Sequence, residues 1–375
     1  MANRGKNEGS IFKRTDDDRW VAMMSLASGK RASFYGKTRQ EVQRKLTAAQ
    51  RDQEQGLPVL SDRQTVVQYL ATWLDTIRPT MEASTWTRHR EYVQLHIVPA
   101  VGAARLRDLS AQQVQQLYAQ RLAAGLSSST VHHLHATLHK ALKDAERLGL
   151  VARNVTKLVN VPRMAETEIH PLTREQARTL LETVHETRWE ALYVMALATG
   201  MRLGELLGLR WADLELDTRP TALVHVRTQL KRVDGAWVWK EPKTKRSRRQ
   251  IALPETVVEV LRRHHSRQDA ERLRLGPTYT DYDLVFCTQT GGPLIARNVY
   301  RHCMGLLDKA KLPRIRFHDL RHTTATLLLS ARVNPKIVSE MLGHASVAIT
   351  LDIYSHVLPD MQQDAATAMG QLLYG

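Results

Sequence analysis

The chain has 375 residues, enough for two or three domains and a sizeable core. Lys and Arg total 54 against 38 Asp and Glu, a formal net charge of +16, which favours a polyanionic partner without separating DNA, RNA and an anionic membrane. The absence of any apolar run of about eighteen residues and of a signal-peptide pattern reads as a soluble, cytoplasmic protein with no membrane partner, and Cys287 and Cys303 are too isolated for a disulfide framework or a zinc site.

Residues 1–8 are polar. The runs Ile11-Phe12 and Trp20-Val21-Ala22-Met23-Met24 are separated by Asp16-Asp17-Asp18 and Ser28-Gly29-Lys30, which predicts three short strands between Ser10 and Tyr35. Thr38 with Glu41 forms a capping box that opens a helix to about residue 54. This small basic ββα-type module carries twelve Lys or Arg against seven Asp or Glu, and such modules bind DNA or protein. Gln55-Gly56-Leu57-Pro58 then marks a linker.

Helical periods follow: Val66, Leu70, Trp73, Leu74, Ile77; Trp86, Val93, Ile97; Val114, Leu117, Tyr118, Leu122, stopped by Gly125; and Val131, Leu134, Leu138, Leu142, Ala145, Leu148, stopped by Gly149. They predict a compact helical bundle. Thr85, Thr87, Arg88, His89 and Arg90 line the polar side of its second helix. His135 and His139 are spaced i, i+4, but the Glu of a His-Glu-x-x-His pattern is missing and no third ligand is evident, so His132, His133, His135 and His139 read as a solvated or DNA-facing edge.

A second linker spans Pro162 to Pro171, and Thr173 with Gln176 caps the next helix. After the break at Thr199-Gly200, Arg202 and Glu205 share one helical face. Strands are predicted at 222–226, 236–240 and 250–253, with Asp234-Gly235 as a hairpin signal. Between the last two lies Lys243-Thr244-Lys245-Arg246-Ser247-Arg248-Arg249, most simply a phosphate-binding or solvated loop. His318 and Arg321 stand three apart at the start of a mostly apolar helix, so both project from one face and need an anion. Asn334-Pro335 opens another helix and Gly343 closes it. Tyr354 lies ten residues beyond His344, and a final helix over 358–375 sets Met361, Ala365, Met369 and Leu372 on one side.

In this order the segments resemble the tyrosine recombinases, the phage-integrase family, in which an Arg in a Thr-Gly-x-Arg-x-x-Glu context, a Lys in a β-turn, His-x-x-Arg, Leu-Gly-His and a nucleophilic Tyr recur. The motifs cover roughly residues 168–375. The resemblance implies Arg202, Glu205, Lys243, His318, Arg321, His344 and Tyr354 as the site, with Lys245 the rival of Lys243. It implies DNA contact by Arg88 and Arg90 and, along the DNA backbone, by Lys245, Arg246, Arg248 and Arg249. The expected fold is multidomain and mainly α with small β-sheets: an arm-type DNA-binding module (1–56), a helical core-binding domain (57–162) and a mixed α/β catalytic domain with a C-terminal tail (163–375). The tail could cap its own domain, but the resemblance favours exchange in trans, with the tail packed on a neighbouring protomer and linking active sites in a ring.

The implied reaction is site-specific recombination through a covalent 3′-phosphotyrosyl intermediate and a Holliday junction, with double-stranded attachment-site DNA as substrate and a homotetramer as the working assembly. No cofactor or metal is expected. The resemblance leaves room for an accessory DNA-bending or excision factor. The rivals are a DNA-binding or architectural protein that has lost catalysis and a type IB topoisomerase, which shares much of the chemistry.

Overall fold

The computed structural model describes residues 9–25, 31–54, 64–164, 170–218, 220–233, 235–241, 248–354 and 361–374, with the backbone alone at 52, 54, 352–354, 361–365 and 368. The chain forms two compact units, 1–166 and 167–375.

Near the N-terminus, β1 (Ser10–Lys13), β2 (Trp20–Ser25) and β3 (Arg31–Gly36) form an antiparallel meander in that order, with Ser10 opposite Met23 and Trp20 opposite Gly36. Alternate residues of β2, Ala22 and Met24, meet Val42, Leu46 and Ala49 on one face of α1 (Arg39–Glu54). The expected capping box is offset by one residue. Thr38 Oγ1 accepts from the Glu41 N–H at 3.2 Å, and the Glu41 carboxylate accepts from the Lys37 N–H at 3.0 Å rather than from that of Thr38.

The helical bundle comprises α2 (Val66–Ile77), α3 (Ala83–Tyr92), the short α4 (Val98–Val101), α5 (Ala111–Ala123) and α6 (Ser128–Arg147), packed around Leu70, Ile97, Leu117, Leu134, Leu138 and Leu142. Between α3 and α4 one wide π-turn, Val93–Ile97, lets the Val98 N–H reach the Val93 carbonyl. Pro99, which has no N–H and crowds the carbonyl four residues back, accounts for this widening. Leu148, expected in the core, is 58% exposed. Gly149 takes φ +69°, and the Leu150 N–H turns back to the Ala145 carbonyl at 2.9 Å, so the helix ends before Leu148 can join its apolar face.

His89, His135 and His139 are tied inward, whereas His133 is exposed. His135 Nδ1 pairs with the Tyr118 hydroxyl at 2.9 Å and His139 Nδ1 with Thr156 Oγ1 at 2.8 Å. His89, expected on the open polar side, instead joins α3 to α6 through Thr137 Oγ1 at 2.9 Å. Arg88 is exposed, and Arg90 lies over the Trp86 ring at 4.9 Å. Among the described residues, no group of three or more His, Cys, Asp or Glu is placed to hold a metal, and no helix is long and apolar enough to cross a membrane.

In the second unit, α7 (Arg174–Val184) begins with the expected box: Thr173 Oγ1 accepts from Gln176 N–H, and the Gln176 side chain returns to Thr173. Helix α8 (Glu190–Thr199) is buried on several sides, and α9 (Leu203–Leu207) follows it. The strands differ from expectation. Strands β4 (Leu214–Glu215), β5 (Ala222–Val226) and β8 (Arg249–Leu253) make one antiparallel sheet in the order β4-β5-β8, and β6 (Gln229–Val233) with β7 (Ala236–Lys240) makes a separate hairpin. The sequence reading had not separated β6, which is the strand that the Gly235 turn joins to β7. Then come α10 (Glu255–Leu275), α11 (Ala296–Lys309), α12 (Asp319–Ser330), α13 (Pro335–Leu342), α14 (Val347–Tyr354) and α15 (Met361–Tyr374). Cys287 and Cys303 are buried free thiols. In α15, Met369 and Leu372 are exposed.

Leu138 is fully buried in the bundle. Leu138→Ala is expected to destabilise it by about 2–5 kcal/mol, whereas Leu148→Ala should stay within about 0.5 kcal/mol of the parent. Urea unfolding followed by circular dichroism checks both, and equal losses would contradict this boundary of the core.

Candidate active site

Two glycine turns brace the two key arginines. Gly200, with φ +61°, ends α8, and a Cβ there would collide with Leu342 Cδ2. Its carbonyl accepts from Arg321 Nη1 at 2.8 Å. Gly343, with φ +70°, ends α13, where a Cβ would press on the Arg249 guanidinium. Its carbonyl accepts from Arg202 Nη2 at 3.1 Å. Each arginine is therefore held by the backbone of a turn far away in sequence. Arg321 is buried on the first turn of α12, and the Arg202 side chain is 39% exposed.

Glu205 lies beneath Arg202 with 3% of its surface exposed. Its Oε2 accepts from the Arg202 N–H and its Oε1 from Arg202 Nη1, both at 2.9 Å. From the other side Arg249 donates Nη2 to Oε2 at 2.9 Å and Nη1 to Oε1 at 3.3 Å, while its Nε donates to the Met341 carbonyl at 2.6 Å. This corrects the expectation for Arg249 as a DNA-backbone contact. Its side chain is 6% exposed and engaged inside the protein. Burial pushes the Glu205 pKa up, but the Arg249 hydrogen bond and charge, followed by those of Arg202, more than offset this and hold it below the ordinary carboxylate range.

His318 precedes α12 and faces solvent, with an open groove lined by Tyr300, Met304, Arg316 and Phe317 beside it. One turn later His322 is buried, its ring 5.3 Å from that of His318 and nearly perpendicular to it. Asp319 accepts from both the backbone and the guanidinium of Arg316 at 2.8 Å, which fixes the start of the helix. His344 is half-buried: its N–H donates to the Ser339 carbonyl at 3.0 Å, and its Nδ1 pairs with the buried Thr350 hydroxyl at 2.8 Å. All three imidazoles are less basic than usual. Partial desolvation by the protein on its inner side, and then Arg321, lower the His318 pKa. Burial, then Arg321 and Arg202, lower His344 to about 4. Burial, then His318, lowers His322 to about 4.

Arg202, Glu205, Arg321 and His344 thus converge through shared hydrogen bonds and mutual electrostatics, with His318 beside Arg321. Lys243, Lys245 and Arg246 lie outside the described residues. Tyr354 is the last residue of α14, the helix that supplies Thr350 to His344, and its side chain also lies outside the described residues. Arg248 is exposed and pairs with Glu241. Sequence reading missed His322 and Thr350 and assigned Arg249 a different role. For Arg249 a signal existed: residues 249, 251 and 253 alternate onto the buried side of β8.

Residues 170–361 match the Phage integrase family, and residues 65–123 match its N-terminal SAM-like domain. A tyrosine recombinase XerC-like protein of Caldanaerobacter subterraneus subsp. tengcongensis is 30% identical, over 91% of this chain and 92% of its own length. An integrase of Streptomyces ambofaciens is 32% identical over 98% of this chain and 96% of its own length. Among solved structures, the Tn1549 transposon integrase in complex with transposon right end DNA superposes with a TM-score of 0.70 at 23% identity, covering 83% of this chain and all of that one. A lambda integrase tetramer bound to a Holliday junction has a TM-score of 0.58 at 16% identity, covering 94% and 96%. With the arginine, histidine and carboxylate geometry above, these matches identify the chain as a member of the phage integrase family, a tyrosine recombinase.

Proposed function

We infer that the protein is a site-specific integrase of a phage or other mobile element, which cuts and rejoins DNA at attachment sites through a 3′-phosphotyrosyl bond to Tyr354 and a Holliday junction. The observation that carries this reading is the cross-bracing of Arg321 and Arg202 by the carbonyls of Gly200 and Gly343. It pre-organises two planar cations where a phosphodiester can present its two non-bridging oxygens. The DNA-bound relatives and the junction-bound tetramer support double-stranded DNA as substrate and four protomers as the working assembly.

Strand cleavage follows from the residues in turn. The Tyr354 phenol oxygen attacks phosphorus, the bond to the 5′ oxygen breaks, and the phosphodiester energy is kept in the new phosphotyrosine bond. A free 5′ hydroxyl of another strand reverses the step, so no ATP is needed. Arg202 and Arg321 neutralise the phosphate, and arginines in phosphoryl transfer contribute roughly 10³- to 10⁵-fold. That charge makes a metal unnecessary. His318, uncharged near neutral pH because its pKa is lowered, is suited to take the tyrosine proton. His344, with Nδ1 committed to Thr350, keeps Nε2 for the phosphate. Lys243 protonates the departing 5′ oxygen, with Lys245 its rival.

Incubated with attachment-site DNA in EDTA, the protein should form a denaturant-stable adduct that is lost in Tyr354→Phe while duplex binding persists. An adduct that survives the substitution would place the nucleophile elsewhere.

A thiol ionises at about 8.5, far more readily than water or an alcohol, so a bridging 5′ sulfur needs little proton donation. Lys243→Ala should therefore cleave ordinary DNA slowly and recover on the sulfur substrate. Selective recovery by Lys245→Ala instead would transfer the role.

The low histidine pKa values also set a stability trend. An unfolded imidazole titrates near about 6.5, and His322 and His344 near about 4 in the folded chain. Between these values the unfolded chain binds more protons, so stability is full above the upper value and falls as the pH drops toward the lower one. Melting temperatures between pH 7 and pH 4.5 should decline, and less steeply in His322→Gln. Identical slopes would contradict the assignment.

A further inference from the structure

We propose that Arg249 is a positioning residue for strand cleavage: it balances the buried Glu205 carboxylate so that Arg202 keeps its charge for the scissile phosphate, and it ties the Met341–Gly343 turn to β8. The proposal rests on the recombinase reading above and names a residue outside the motif set that carries it.

Three observations support it. First, Glu205 is shared unequally. Arg249 reaches both carboxylate oxygens with two guanidinium nitrogens, whereas the Arg202 side chain reaches one, its other contact being the backbone N–H. With Arg202 as its only cationic partner, Glu205 would cancel the charge the phosphate needs, and Coulombic losses of this kind are large away from water. With Arg249 present, the three groups keep a net positive charge. Second, exposure divides the roles: the Arg202 side chain is 39% exposed, and that of Arg249 is 6%. The open cation can meet a ligand, and the closed one is held among protein groups. Third, Arg249 Nε holds the Met341 carbonyl at 2.6 Å, two residues before the Gly343 carbonyl that accepts from Arg202. One side chain thus supports Arg202 through both its carboxylate and its backbone partner. Arg249 also opens β8 two positions after residue 247, the end of the stretch 242–247 that carries both lysine candidates.

The test is single-turnover adduct formation by the full chain on a nicked duplex carrying the end sequence of the DNA element that encodes it. R249M should cleave roughly 10²-fold more slowly than the parent, with duplex affinity nearly unchanged. The double variant E205Q/R249M, which also removes the carboxylate charge, should recover about tenfold over R249M. The pH profile gives a readout that a merely structural role would not move. Without Arg249, the buried Glu205 carboxyl loses its main stabilising cation and its pKa rises. The rate of R249M relative to the parent should therefore increase as the pH falls, and this dependence should vanish in E205Q/R249M. A double variant no faster than R249M, or an R249M profile parallel to the parent, overturns the proposal. If R249M melts below the assay temperature, R249K decides: it keeps the charge and should stay within about tenfold of the parent, and a loss beyond roughly 10²-fold overturns the charge balance. Failure of the parent chain itself to form an adduct would instead overturn the recombinase reading.

Discussion

Burying a carboxylate is costly unless its charge and lone pairs are met, and Glu205 meets this condition by lying between two guanidinium groups. Four donors surround its two oxygens: the Arg202 backbone and side chain and both terminal nitrogens of Arg249. The arrangement fixes α9 against β8 and, through the Met341 carbonyl, against α13. The rest of the site depends on it, because Arg202 is directed from one side by this carboxylate and from the other by the Gly343 carbonyl.

The backbone supplies the second constraint. Two left-handed glycines each place a carbonyl where an arginine can donate to it, and both hold a backbone conformation that strains other residues. A helix end is a natural place for this, since its last carbonyls lack intrahelical donors and can accept from elsewhere. The helix stops at Gly200 and Gly343 are thus structural and functional at once: each ends an element and supplies a ligand to a cation.

Cations gathered this closely give the site a positive potential that favours an anionic ligand. Arg202 and Arg249 outweigh the Glu205 carboxylate between them, and burial, then the field of Arg321 and Arg202, lowers the His344 pKa to about 4. A phosphodiester entering this environment meets positive potential from donors already fixed in place. The same logic does not extend to every basic residue in the chain. Arg90 rests on an indole ring, and Arg248 is paired at the surface.

The sequence by itself determined the local features and the motif set. Capping at Thr173 and Asn334, the stops at Gly149, Gly200 and Gly343, and the apolar periods of α2, α5 and α6 all rest on contacts within a few residues, which is why spacing reveals them. The order of motif residues was equally legible and led to the family. Only the tertiary structure decided what is made by residues distant in the chain. The pairing of β8 with β5, the isolation of the β6–β7 hairpin and the inward histidines of the bundle are of this kind. So is Arg249: in sequence it is one cation in a basic run, and its partner lies 44 residues away. Charge and composition count an exposed and a buried arginine alike. The distinction arises when the fold removes one of them from water and sets a carboxylate against it.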